Sequence, residues 1–220
     1  MPAMKWLLLE GLPDDDVRRV LGAARRRTFA RGVVLFHEGD PGESLHLISA
    51  GRVAVRVTTA LGQSATLNIL RAGDFIGEMA LLGREPRRSA TAIALEPVET
   101  LSVERAAFDT LRDEHPSVRA IVERILTERV RHTSDQLLEA LYVPADTRVL
   151  RRLLTLCDIY GDDGADVVVP LGQEDIAGLA GTTRATVNRV LGAEQERGTV
   201  ALGRGKVTVK DAAAIAKRAR

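Results

Sequence analysis

Two periodicities divide this chain. In the first half, short runs alternate apolar and polar positions, most cleanly at 53–57, Val-Ala-Val-Arg-Val. Successive side chains of a strand point to opposite faces, so such runs predict half-buried strands. Further β-rich runs lie at 33–36, 45–49, 65–70, 90–95 and 100–103, with Gly32, Gly39, Gly51, Gly62 and Gly73 punctuating the region. Many short strands separated by turn residues predict a small antiparallel barrel or sandwich. A helix over 14–26, opened by Asp14, Asp15 and Asp16, is expected ahead of it, because acidic side chains favour the positive end of a helix.

From 117 to 141 the period becomes helical. Val118, Val122, Leu126, Val130, Leu137 and Leu141 fall on one stripe together with Thr133. At ~1.5 Å per residue such a helix is roughly 37 Å long, more apolar stripe than one small barrel covers. Pairing with the same helix of a second copy is the expected remedy, and packing within its own chain the blander one. Val143-Pro144-Ala145-Asp146 then forms a candidate hinge, since proline cannot continue the helix and aspartate can cap the next. A helix over 147–160, an acidic turn over 161–166 and a short strand over 167–169 follow.

The end of the chain reads as helix, turn, helix. Residues 173–179 form the first helix, Ala180-Gly181-Thr182 a tight turn, and Thr183 caps or opens a second helix to about Arg197, with Val187, Val190 and Leu191 inward. Arg184, Ala185, Asn188 and Arg189 occupy the outer face near its start. There arginine can fork onto guanine and asparagine onto adenine, while Gln173 and Thr183 are placed to bond phosphates. After Gly198, residues 200–209 read as a two-stranded wing with Arg204 and Lys206 at its tip.

Charge sharpens this picture. The net charge is +1 over 220 residues, but from 184 to 220 nine Lys/Arg face three Asp/Glu, leaving 22 against 27 before it. A basic end carrying such a helix pair predicts a double-stranded DNA partner. Cys157 is the one cysteine, which excludes an intrachain disulfide and any multi-cysteine metal site; a buried structural thiol is expected. The four histidines are scattered, and no nucleophile–base pair, metal cluster or Walker-type loop is present, so neither an enzyme nor a catalytic cofactor is expected. The apolar run at 6–9 is too short for a signal peptide and no stretch approaches a membrane span, so the expected setting is cytoplasmic, with no membrane partner.

The most specific chemistry lies at 77–89, Gly-Glu-Met-Ala-Leu-Leu-Gly-Arg-Glu-Pro-Arg-Arg-Ser. Glu78 can accept hydrogen bonds from sugar hydroxyls, and Arg88, ten residues on, can fork onto a phosphate beside Ser89. Gly77 permits close backbone approach to an anion. This segment resembles the phosphate-binding cassette of cyclic-nucleotide-binding domains, with Gly77, Glu78, Arg88 and Ser89 in order and spacing.

Taken with the DNA-binding end, the chain resembles the Crp–Fnr family of bacterial transcription regulators over nearly its whole length. The resemblance implies an α+β fold: an N-terminal antiparallel β-roll, the cyclic-nucleotide-binding domain, at 1–116; a long dimerisation helix and hinge at 117–143; and a C-terminal winged helix-turn-helix at 144–220. It implies a homodimer on a palindromic operator, contact with RNA polymerase, and a cyclic nucleotide effector. Gly77, Glu78, Met79, Ala80, Arg88 and Ser89 would hold sugar and phosphate. Thr133 and Ser134 match the Thr-Ser pair that touches adenine in cyclic-AMP-responsive members, the serine reaching from the partner subunit. Arg129 occupies a position near the nucleotide and could pair with Glu78. Cyclic AMP is the expected effector, with cyclic GMP left open because a threonine or serine hydroxyl can serve either base. A different effector, or constitutive DNA binding, is the alternative. One departure stands out: the family commonly has Arg-Glu-Thr-Val where this chain has Arg184-Ala185-Thr186-Val187. Ala185 cannot accept the cytosine hydrogen bond that the glutamate makes.

Overall fold

The alternating runs pair into two four-stranded sheets. The structure is a computed structural model describing residues 5–60, 62, 64–83, 85–161 and 166–220. Its elements are α1 (Asp14–Ala23), β1 (Arg25–Phe29), β2 (Val34–Phe36), β3 (Ser44–Ala50), β4 (Arg52–Thr58), β5 (Ser64–Arg71), β6 (Phe75–Ile76), α2 (Met79–Leu82), β7 (Thr91–Ala94), β8 (Val98–Glu104), α3 (Arg105–Glu114) and α4 (Pro116–Tyr142). There follow α5 (Ala145–Tyr160), β9 (Val167–Val169), α6 (Gln173–Ala180), α7 (Arg184–Glu196), β10 (Val200–Gly203), β11 (Lys206–Val209) and α8 (Ala212–Arg218). One sheet runs β1-β8-β3-β6, the other β2-β7-β4-β5, and a small third β10-β11-β9. The chain divides into two compact units, one ending at Arg131 and the other comprising His132–Arg220 with Ser64–Thr66.

Three helices differ from the sequence expectation. The first helix stops at Ala23 instead of running to 26, because Arg25–Phe29 is drawn into antiparallel register with β8. Arg25 and Arg26 there pair with Glu104 and Glu99; charges on an edge strand also discourage pairing with other chains. Helices α3 and α8 were not anticipated. The acidic turn over 161–166 falls largely on 162–165, which lie outside the described residues.

Among the described residues, the roll holds two apolar clusters. Ile48, Val53, Leu70, Ile76, Ala92, Ala94 and Val98 fill the space inside the sheets. Trp6, Leu8, Leu45, Leu47, Phe75, Val103, Phe108 and Leu111 form the second, which Val118, Ile121, Val122 and Ile125 of α4 complete. The predicted stripe on α4 is therefore split. Val118 is 0% exposed, whereas Val130, Leu137 and Leu141 are 66%, 60% and 63% exposed.

In the second unit, Val149, Leu153, Leu156, Ile176, Val187, Leu191 and Ile215 are buried. Pro144 stands at the start of α5, so Asp146 lies in its first turn and is not the cap. Arg148 holds this junction: it donates to Val143 O at 2.7 Å, Ala180 O at 2.9 Å and Gly181 O at 3.0 Å. One guanidinium thereby satisfies carbonyls at two helix ends that have no intrahelical partner. Gly181 takes φ +58°, the left-handed turn that ends α6. Among the described residues, no helix is long and apolar enough to cross a membrane, and no cluster of His, Cys, Asp or Glu could hold a metal ion.

Candidate functional site

The cassette is built around two buried, oppositely charged side chains. Gly77 has φ +98°, a conformation costly for any residue with a Cβ, and a Cβ there would lie 2.3 Å from Arg88 Nη1. The glycine therefore turns the chain out of β6 and lets the arginine pass against the backbone. Gly42 permits a different close approach: a Cβ on it would meet Ala80 Cβ at 2.2 Å, so its absence lets α2 pack against this loop. Arg105 pins the short helix α2, donating to Leu81 O at 3.0 Å, Ala80 O at 2.9 Å and Gly42 O at 3.1 Å.

Glu78 is only 1% exposed. Arg129 of α4 donates to its Oε1. Its Oε2 is buried with no hydrogen-bond partner among the described residues. A buried carboxylate oxygen left unbonded is costly, so this oxygen is suited to an incoming hydroxyl donor. Arg88 is 6% exposed. It donates to Ser44 O at 2.7 Å and Gly77 O at 3.1 Å, and its guanidinium carbon stands 4.2 Å from the centre of the Phe36 ring. Its Nε is buried without a hydrogen-bond partner among the described residues. Burial lowers its pKa from the ordinary arginine value, against the opposing charges of Glu78 and Asp40. It stays cationic, in a place where an anion is favoured.

Ser89 and Met79 are exposed, and Ser89 Oγ contacts Met79 Sδ at 3.4 Å. Ala80 is buried. The contacts that tie the cassette together thus join Gly77, Glu78, Arg88 and Arg129. Thr133 and Ser134 lie four and five residues beyond Arg129 on α4, at exposed positions. Ser44, Phe36, Gly42 and Arg105 were not identified from sequence. Each is brought to the cassette by strand pairing, and none carries a local motif.

His46 packs behind Arg88, its ring centre 6.0 Å from that of Phe36 and 6.4 Å from that of Phe29, with Nδ1 3.1 Å from Thr100 Oγ1. Burial, then the charges of Arg88 and Arg27, push its pKa down to about 4, so the ring is neutral at physiological pH.

The second candidate surface lies on α6, α7 and the wing. Thr183 caps α7, accepting from Thr186 N at 3.2 Å. Val187, Val190 and Leu191 are buried, which turns Arg184, Ala185, Asn188 and Arg189 outward. Gln173 Nε2 donates to Asn188 Oδ1 at 3.1 Å. Arg189 forks onto Asp146, Nη1 to Oδ2 at 2.8 Å and Nη2 to Oδ1 at 2.5 Å. Arg204 and Lys206 are exposed on either side of Gly205, whose φ of +68° makes the turn of the wing.

Beneath this surface Glu194 of α7 is buried. It accepts from Arg218 Nε of α8 at 3.0 Å, Arg197 Nη1 at 3.0 Å and Thr199 Oγ1 at 2.6 Å. Burial raises its pKa, but the bonds from Arg218 and Thr199 and the charges of Arg218 and Arg197 outweigh it and hold the carboxyl below the ordinary range.

The two domains that carry these candidate sites have counterparts in known proteins. Residues 26–115 match the cyclic nucleotide-binding domain family, and residues 147–218 the Crp-like helix-turn-helix domain family. A cyclic AMP receptor protein of Thermus thermophilus is 36% identical over 208 residues, 94% of this chain and 94% of that protein. A CRP-like cAMP-activated global transcriptional regulator of Mycobacterium tuberculosis is 32% identical over 216 residues, 97% of this chain and 96% of that one. The crystal structure of the Thermus thermophilus catabolite activator protein superposes with a TM-score of 0.55 at 35% identity, covering 97% of this chain and 98% of that one. The c-di-GMP responsive regulator CLP of Xanthomonas campestris shares the fold, with a TM-score of 0.78 at 19% identity over 90% of this chain and 99% of that one. Similarity to regulators along almost the full length, with a family match over each domain, makes this chain a DNA-binding transcription regulator of the Crp–Fnr family with a cyclic-nucleotide-binding domain.

Proposed function

We propose that this chain is a homodimeric regulator gated by a 3′,5′-cyclic nucleotide, cyclic AMP, and that it binds a palindromic operator. One observation carries the effector reading: a buried carboxylate whose Oε2 has no partner among the described residues, Glu78, stands in a cassette with a buried arginine, Arg88. Glu78 accepts the ribose hydroxyl, Arg88 and Ser89 take the cyclic phosphate, and Met79 and Ala80 contribute to the wall. Arg129 pairs with Glu78 Oε1 and orients the carboxylate. Thr133 and Ser134 supply hydroxyls for the base, the serine from the partner. The exposed half of the α4 stripe, Val130, Leu137 and Leu141, supports pairing of two α4 helices. The dimer sets Arg184, Asn188 and Arg189 of each copy in successive major grooves, with half-sites about one helical turn apart, Ala185 relaxing one base pair. Gln173, Thr183, Arg204 and Lys206 contact phosphates, and RNA polymerase is the downstream partner.

Isothermal titration tests the effector. Binding of cyclic AMP is expected, weakened roughly ten- to a hundredfold by Arg88→Ala, as for loss of a charged hydrogen bond. Ser134→Ala should weaken discrimination between cyclic AMP and cyclic GMP more than overall affinity. No heat with either nucleotide at millimolar ligand would remove the proposal. It would favour the second reading, an unrelated effector or none. One observation supports that alternative: Arg88 is already bonded to the carbonyls of Ser44 and Gly77.

A further inference from the structure

On α7, Ala185 follows Arg184, so no carboxylate stands beside that arginine in the sequence. A carboxylate nevertheless reaches the same surface from another element. Asp146, in the first turn of α5, holds both terminal nitrogens of Arg189, at 2.8 Å and 2.5 Å. The two side chains are 64% and 48% exposed. An ion pair so open to water contributes little to stability. Its two-bond geometry, however, fixes the plane and direction of the guanidinium.

The chemistry of the fork decides what that orientation is good for. A guanidinium has five N–H groups. Pairing end-on through Nη1 and Nη2 consumes one on each and leaves the parallel Nε–H and second Nη2–H of the side edge. That edge presents two donors in one plane, the pattern that guanine O6 and N7 accept. Arg189 can therefore keep Asp146 and read a base at the same time. We infer that Asp146 is a specificity-determining positioning residue, which orders Arg189 so that its side edge reads guanine. This rests on the proposed reading that Arg189 contacts bases.

The test uses the full chain with cyclic AMP present, a duplex selected from a randomised palindromic library, its single-base-pair variants, and a random-sequence duplex. Arg189→Lys identifies the base pair that Arg189 reads. At that pair alone, Asp146→Asn is expected to lower the preference for the selected base about fivefold, a fraction of what a bidentate contact carries. Affinity for the random duplex should rise, because a negative charge near phosphates is removed. Asp146→Glu should recover part of the preference. If Arg189→Lys changes no base preference, the base-reading role of Arg189 fails. If Arg189→Lys does so while Asp146→Asn tightens every duplex equally, the carboxylate is only a competitor for Arg189 and the inference is overturned.

Discussion

At the scale of single residues, the cassette works by placing charge where water cannot answer it. Glu78 and Arg88 are both nearly inaccessible, and each keeps one polar atom without a partner among the described residues. His46 shares this buried environment and reports on it. With a pKa near 4 in the folded chain and about 6.5 when unfolded, it takes up a proton on unfolding between those values. Folding is therefore fully stabilised above about pH 6.5 and loses stability as pH falls toward 4. The full loss is on the order of 3 kcal/mol, since one pKa unit corresponds to about 1.4 kcal/mol. Urea midpoints measured near pH 7 and near pH 5 should separate for the parent chain and converge for His46→Phe. Equal separation in both would assign the acid sensitivity elsewhere. The sequence made the cassette legible because Gly77, Glu78, Arg88 and Ser89 are close in the chain. It could not reveal His46 behind Arg88, because that neighbourhood is created by strand pairing and not by spacing.

At the scale of elements, period told strand from helix where the spacing of apolar residues was regular. It worked for β4, α4 and the inward face of α7. It missed β1, whose Arg25-Arg26-Arg27 carries no alternation, because an edge strand can be held by backbone pairing and ion pairs alone. It also missed α8, a seven-residue helix with four alanines and one buried isoleucine. That helix has an electrostatic task, since Arg218 pairs with Glu194 on the buried face of α7. Stripping one partner from a buried ion pair is costly because the other charge remains in place. Arg218→Ala should therefore destabilise the winged unit by about 3 kcal/mol, at the lower end for such pairs because Arg197 and Thr199 remain. Cys157 offers a local probe of that unit: it is buried and its thiol is pushed up to about 11, first by burial and then by Asp158. Its labelling midpoint in urea should fall for Arg218→Ala. An unchanged midpoint would show that Arg197 and Thr199 suffice.

At the scale of the whole molecule, α4 belongs to two structures at once. Its first half is core of the roll, and its second half carries exposed leucines. Burying a leucine in an interface contributes roughly 1.5–3 kcal/mol, so replacing one with a charge should break the pairing. Leu137→Glu is expected to sediment with half the mass of the parent chain while keeping its circular dichroism. A parent chain that already sediments as a monomer would overturn the proposed dimer. The split also bears on biosynthesis. The second apolar cluster of the roll is closed by Val118, Ile121, Val122 and Ile125, which follow its last strand by more than a dozen residues. A nascent chain therefore cannot complete that domain as β8 leaves the ribosome. It must wait for the first turns of α4, so the domain finishes folding only when the helix that leads to the DNA-binding end has begun to form.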